Sequence, residues 1–225
     1  LALTEKYEVR GVFEKKGRAV FISHLDLFRT MQRAMKRSGL PVWYSEGFNP
    51  RIYLNFPLAL ALGVESDCEI MDFEVVRQMP YDEMLDAINK VLPDGIHFVS
   101  MSAPISKNKE IAFSEYEFRL SNETLSPEEV SERFDKMMSL EKIEAEKHSK
   151  KKGMILIDIK PNINVISKDI GDNGVVLTVR LPAGQELNIN SNVFIEALQK
   201  YCGIDDLDIS TKRTKILKNN GELFV

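Results

Sequence analysis

The chain has 225 residues, 44% hydrophobic and 28% charged, with a formal net charge of −4, values of an ordinary globular protein that exclude a disordered, collagenous or coiled-coil chain. The longest purely apolar run, Leu58 to Leu62, is far short of the ~20 residues that cross a bilayer, so no membrane span is expected. Cys68 and Cys202 stand alone, without CxxC spacing, which argues against a zinc site, a cluster held by this chain alone and a disulfide scaffold.

The net charge hides a segregation. Residues 1–53 carry +5, residues 54–145 carry −11 and residues 146–225 carry +2. Such asymmetry steers one part of a surface toward a polyanion, although a solvated surface without a partner gives the same count. The two lone cysteines fit a reducing cytoplasm, the location expected here; the start, Leu1-Ala2-Leu3-Thr4, shows neither a basic n-region nor an apolar h-region.

In chain order, Tyr7-Glu8-Val9-Arg10 opens an alternating run that reads as a strand, and a helix follows over Leu25 to Ser38. Strands are then expected at Ile52 to Phe56 and Cys68 to Val76, a helix at Tyr81 to Val91 and a strand at Ile96 to Met101. Ala103 to Lys109 is polar and turn-forming, as a linker would be. The pattern restarts 109 residues on, at Tyr116-Glu117-Phe118-Arg119. Ser126-Pro127-Glu128-Glu129 is a capping box with proline at the first helical position, opening a helix to Leu140. Strands at Lys142 to Lys147, Met154 to Ile159 and Gly174 to Leu181 follow, then a helix at Asn192 to Tyr201 and a strand at Leu207 to Leu217. Both halves thus run βαββαβ, with extra strands in the second. That order predicts an α+β chain of two tandem, duplicated ferredoxin-like units with antiparallel sheets, residues 1–105 and 110–225.

The first helix carries the most chemistry. At 100° per residue, Leu27, Phe28, Met31, Ala34 and Met35 share one arc, and Arg29, Arg33, Lys36 and Arg37 the opposite one. A stripe of this kind contacts two or three backbone phosphates of a nucleic acid, and it also suits a solvated polar face. Ser23 and Asp26 have the spacing of a cap. His24 between them is the one candidate catalytic residue, an acid or base at the helix start, with a structural role as the alternative.

The segment Pro41 to Arg51 is rich in aromatics, Gly, Asn and Pro. Tyr44 and Phe48 offer rings for stacking, and Asn49 and Arg51 offer polar and cationic contacts; the alternative is a hydrophobic plug over the end of the sheet. Lys150, Lys151 and Lys152 form a basic tip between two strands, and Arg213 adds positive charge on the last strand. No P-loop, strand-linked GxGxxG, HExxH or GxSxG appears, so nucleotide hydrolysis, dinucleotide redox and common hydrolase chemistry lack support.

Phe21-Ile22-Ser23-His24-Leu25-Asp26-Leu27, Ser38-Gly39-Leu40-Pro41, Tyr44 to Arg51 and Leu60 to Ser66 together resemble the radical-SAM-linked uncharacterised bacterial proteins, a domain of unknown function. The resemblance implies an accessory that works with a radical-SAM protein, binds RNA or presents a substrate, and carries no cofactor of its own. A more distant, architectural similarity is to the repeat-associated CRISPR RNA-processing proteins. Those act as metal-independent endoribonucleases, and only His24 and Tyr44 would match their acid and base; the Gly-rich loop typical near their C-terminus is missing here. A protein-interaction module that docks on the radical-SAM domain through the Trp43 to Pro50 loop is the third expectation.

Overall fold

In the computed structural model, residues 5–149 and 153–225 are described. They form an α+β chain with ten strands and four α-helices among the described residues. The chain divides into two compact units, with Asn108 ending the first and Lys109 starting the second.

The first unit runs β1 (Tyr7–Lys15), α1 (His24–Ser38), β2 (Leu54–Asn55), β3 (Glu65–Val75), α2 (Tyr81–Asn89) and β4 (Ile96–Ser102). β1 pairs antiparallel with β3 and β4, and β2 pairs with β3, so these strands lie in the order β4-β1-β3-β2. Val9 and Phe13 of β1, Met71, Phe73 and Val75 of β3 and Phe98 of β4 make one buried layer. Leu27, Met31, Ala34 and Met35 of α1 and Met84 and Ile88 of α2 complete it. Each such side chain contributes about 1.5–3 kcal/mol by leaving water. Gly11 is needed there, since a Cβ on it would sit 2.4 Å from the Phe98 ring.

α1 starts and stops where its sequence says. The Ser23 side chain accepts from the Asp26 N–H, and Gly39 closes the helix at φ 73°, a left-handed conformation that glycine adopts without a Cβ penalty. Asp26 returns its bond to the Ser23 hydroxyl at 2.8 Å, not to the backbone as a full capping box would. That hydroxyl, with Arg29 beside it, holds the Asp26 carboxyl below its ordinary range. Lys15, 2% exposed, donates to the carbonyls of Val20 and Ile22 and fixes the turn that leads into α1.

The second unit runs β5 (Ile111–Ser121), α3 (Pro127–Ser139), β6 (Glu144–Ser149), β7 (Gly153–Asp158), β8 (Asn164–Gly171), β9 (Gly174–Pro182), α4 (Ser191–Tyr201) and β10 (Asp208–Lys218). Here the antiparallel order is β10-β5-β9-β8, and β6 and β7 form a separate two-stranded hairpin. The hairpin is tied to α4 by the Tyr201 hydroxyl, which accepts from the Glu144 N–H and donates to the Glu144 carbonyl. α3 carries the full capping box of Ser126 and Glu129.

Three expectations change. β8 is a strand the sequence does not announce, because most of its residues are exposed and a register shift between Val165 and Ser167 breaks the alternation. The strand expected over Ile52 to Phe56 shrinks to Leu54–Asn55, since Ile52 bridges to Tyr44 instead of joining the sheet. The segment expected as a free linker packs on the first unit: Ser106 is buried, and its carbonyl accepts from Arg10 at 3.1 Å.

Candidate functional site

The cationic arc of α1 reaches solvent along its length. Arg29, Arg33, Lys36 and Arg37 are all exposed, while on the opposite arc Leu27, Met31, Ala34 and Met35 are buried and Phe28 is half-buried. After Asp26 the helix contains no acid. Arg29 is 3.3 Å from Asp26, an exposed pair that contributes little to stability. Arg37 has a partial commitment, donating to the Val91 carbonyl at 2.9 Å.

The aromatic segment is a closed loop. Tyr44 and Ile52 bridge, the Ser45 N–H donates to the Arg51 carbonyl at 2.8 Å, and the Arg51 N–H donates to the Ser45 hydroxyl at 3.0 Å. Its tip holds Gly47 at φ 120° and Phe48, which is 105% exposed. Asn49 and Arg51 are exposed beside it. Gln32, on the boundary between the apolar and cationic arcs of α1, donates to the Ile52 carbonyl at 3.4 Å. The base of the loop is therefore tied to α1, and the α1 cations and the rings of the loop belong to the same compact unit.

The rings of this segment divide into two groups. Trp43 is covered by the Lys6 ammonium, 3.2 Å from its ring centroid. Phe56 is packed among Phe13, Phe28 and His24. Tyr44, Phe48 and Tyr53 remain exposed. Tyr53 is a residue sequence reasoning missed; in an alternating stretch its exposure follows from the burial of Ile52 and Leu54 on either side. His24 is exposed at the first turn of α1, its ring edge-on to Phe56 at 5.6 Å, an arrangement that anchors the helix start. Phe21, Leu25 and Leu62 form exposed apolar surface near that end, where the Gly63 N–H donates to the Val20 carbonyl.

Other expected cations do not join this region. Arg213 lies at 2% exposure in the second unit, its Nη2 donating to the Tyr116 hydroxyl at 3.2 Å. A guanidinium at that depth does not reach a phosphate, so its expected binding role is withdrawn: β10 places it opposite Tyr116, on the helix-covered face. Lys150, Lys151 and Lys152 lie outside the described residues.

The faces of the strands turned away from the helices are ion-paired. Arg10 holds Asp72, directly opposite on β3, through two bonds of 2.7 and 2.9 Å. Glu115 accepts from Arg180 and Lys215. These central-strand positions carry charges where the stacking platform of an RNA-recognition sheet carries rings; beside Arg10 and Asp72, Tyr53 lines a cavity of about 360 Å³. A cavity of about 800 Å³ in the first unit is lined by Tyr7, Val9, Met79, Tyr81 and Met84 among others, none of them a candidate residue. Among the described residues, no group of three or more His, Cys, Asp or Glu is placed to hold a metal. Burial pushes the Cys202 thiol up to about 11, so it is inert as a ligand or nucleophile near neutral pH.

The fold and this region define an α+β chain of two compact units, the first presenting a cationic helix face and a closed aromatic loop. The chain belongs to the bacterial family described as "Uncharacterized protein conserved in bacteria (DUF2344)", whose model matches residues 8–191. No curated protein matches it.

Proposed function

We propose that this chain is a cytoplasmic, RNA-binding accessory of a radical-SAM enzyme. The first unit holds the RNA backbone through Arg29, Arg33 and Arg37 with help from Arg51, and stacks bases on Tyr44 and Phe48. The redox chemistry belongs to the partner. The observation that carries the reading is the exposed cationic arc of α1 together with the exposed rings of a loop whose base Gln32 ties to the same helix. The radical-SAM association rests on the sequence blocks from Phe21 to Ser66. The shared strand orders β4-β1-β3-β2 and β10-β5-β9-β8 support a duplicated ferredoxin-like origin.

Titration of RNA at several salt concentrations tests the binding. About three phosphate contacts give a log–log salt slope near −2 for a single strand. Absence of binding at 50 mM salt removes the proposal.

The exposed Phe21, Leu25 and Leu62 favour a second reading, in which the start of α1 docks the radical-SAM protein. Co-purification of the two proteins with Leu25→Asp in this chain distinguishes it: undiminished capture excludes this surface as the docking point.

A further inference from the structure

We infer that the RNA taken by this surface is unpaired, with bases stacked on Tyr44 and Phe48 while α1 holds the phosphates; the inference rests on the RNA-binding reading above. Two rings of the loop face solvent, Tyr44 at 40% and Phe48 at 105% exposure, whereas Tyr53 lines a separate cavity with Arg10 and Asp72. Trp43 and Phe56 show how rings in this same segment are treated when they serve packing, one covered by Lys6 and the other enclosed by aromatic neighbours. Phe48 has no such cover. It stands at the tip of a loop held by the Tyr44–Ile52 bridge, the Ser45–Arg51 bonds and Gln32, so the ring is presented on a preformed support.

An A-form duplex gives such rings nothing to stack on. Its bases are stacked on one another, its major groove is too narrow for side chains, and its minor groove offers hydroxyls and phosphates. An unpaired strand offers the face of every base, and each ring that takes one raises affinity about tenfold. The cationic arc fits the same ligand: Arg29 to Lys36 covers about 10 Å of helix, enough for a short run of phosphates on one strand. The Arg10–Asp72 and Glu115–Arg180–Lys215 pairs place charges, not rings, at the centres of the strands' open faces, so the loop is where bases meet rings.

The test is fluorescence anisotropy with the full chain, using a labelled unstructured 12-nucleotide RNA and a fully paired RNA of equal length. Wild type is expected to bind the single strand at least tenfold more tightly. The Tyr44→Ala, Phe48→Ala double variant is expected to lose that margin on the single strand while its duplex affinity stays put. Arg29→Ala with Arg33→Ala is expected to weaken both ligands alike. Because Tyr44 and Phe48 are exposed, the double variant keeps its fold, and circular dichroism checks this. Equal affinity of wild type for both RNAs, or an equal loss on both in the double variant, overturns the inference and leaves RNA binding standing. Binding to neither RNA at 50 mM salt removes the RNA reading and the inference with it.

Discussion

Gln32 of α1 donates its side-chain amide to the backbone carbonyl of Ile52, 20 residues further on, at 3.4 Å. Through this contact the base of the aromatic loop is tied to the cationic helix. A bond of that length contributes at the low end of about 0.5–1.5 kcal/mol. Gln32→Ala is accordingly expected to weaken single-stranded RNA binding two- to fivefold with little change in melting temperature. Unaltered affinity, read by anisotropy, would mean that the bridge of Tyr44 with Ile52 orients the loop without help from α1.

Arg213 and Arg33 separate burial from binding. Arg213→Met strands the Tyr116 hydroxyl in a buried site, an unmet polar group that costs about 1–3 kcal/mol. Its expected signature is a lower denaturation midpoint with the RNA affinity of the folded protein preserved. Arg33→Ala should do the reverse, lowering affinity and flattening the salt slope by about 0.7 while stability holds. A loss of affinity in Arg213→Met comparable to that in Arg33→Ala would reject this division.

Acid should loosen the second unit through Glu115. Burial by itself raises this carboxyl, but the Lys215 ammonium and the Arg180 guanidinium bonded to it prevail and hold it below its ordinary 4.5. A carboxyl with a depressed folded value stabilises the fold above its unfolded value. That contribution is lost as pH falls from about 4.5 through the lower folded value. The melting temperature of wild type should therefore exceed that of Glu115→Gln at pH 7, with the gap closing toward pH 3. A gap of constant size across that range would show that packing, not charge, makes the difference.

The start of α3 is a local test of stability. Ser126 accepts from the Glu129 N–H at 3.2 Å, and Glu129 accepts from the Ser126 N–H at 2.8 Å. Ser126→Ala should destabilise the protein by about 1 kcal/mol. Chemical denaturation with Ser126→Asp as the conservative replacement gives the check, since aspartate caps as well as serine; equal loss in both variants would place the effect elsewhere.

The features legible in the amino-acid order alone are local ones. α1, α3, their caps and the two arcs of α1 follow from residues three and four apart, because a single helix sets the directions of its own side chains whatever surrounds it. The α+β class and the repeated Tyr-Glu-apolar-Arg strands were legible for the same reason, alternation being a property of one strand. Tertiary structure decided which of those faces are covered. Arg10 meets Asp72 across 62 residues, Arg213 sinks beside Tyr116, Trp43 takes the Lys6 ammonium as its lid, and Gln32 reaches Ile52. Each of these depends on which strand or loop becomes a neighbour and in what register. Pairing between distant segments is chosen by the packing of the whole core, so no short stretch of chain carries that information.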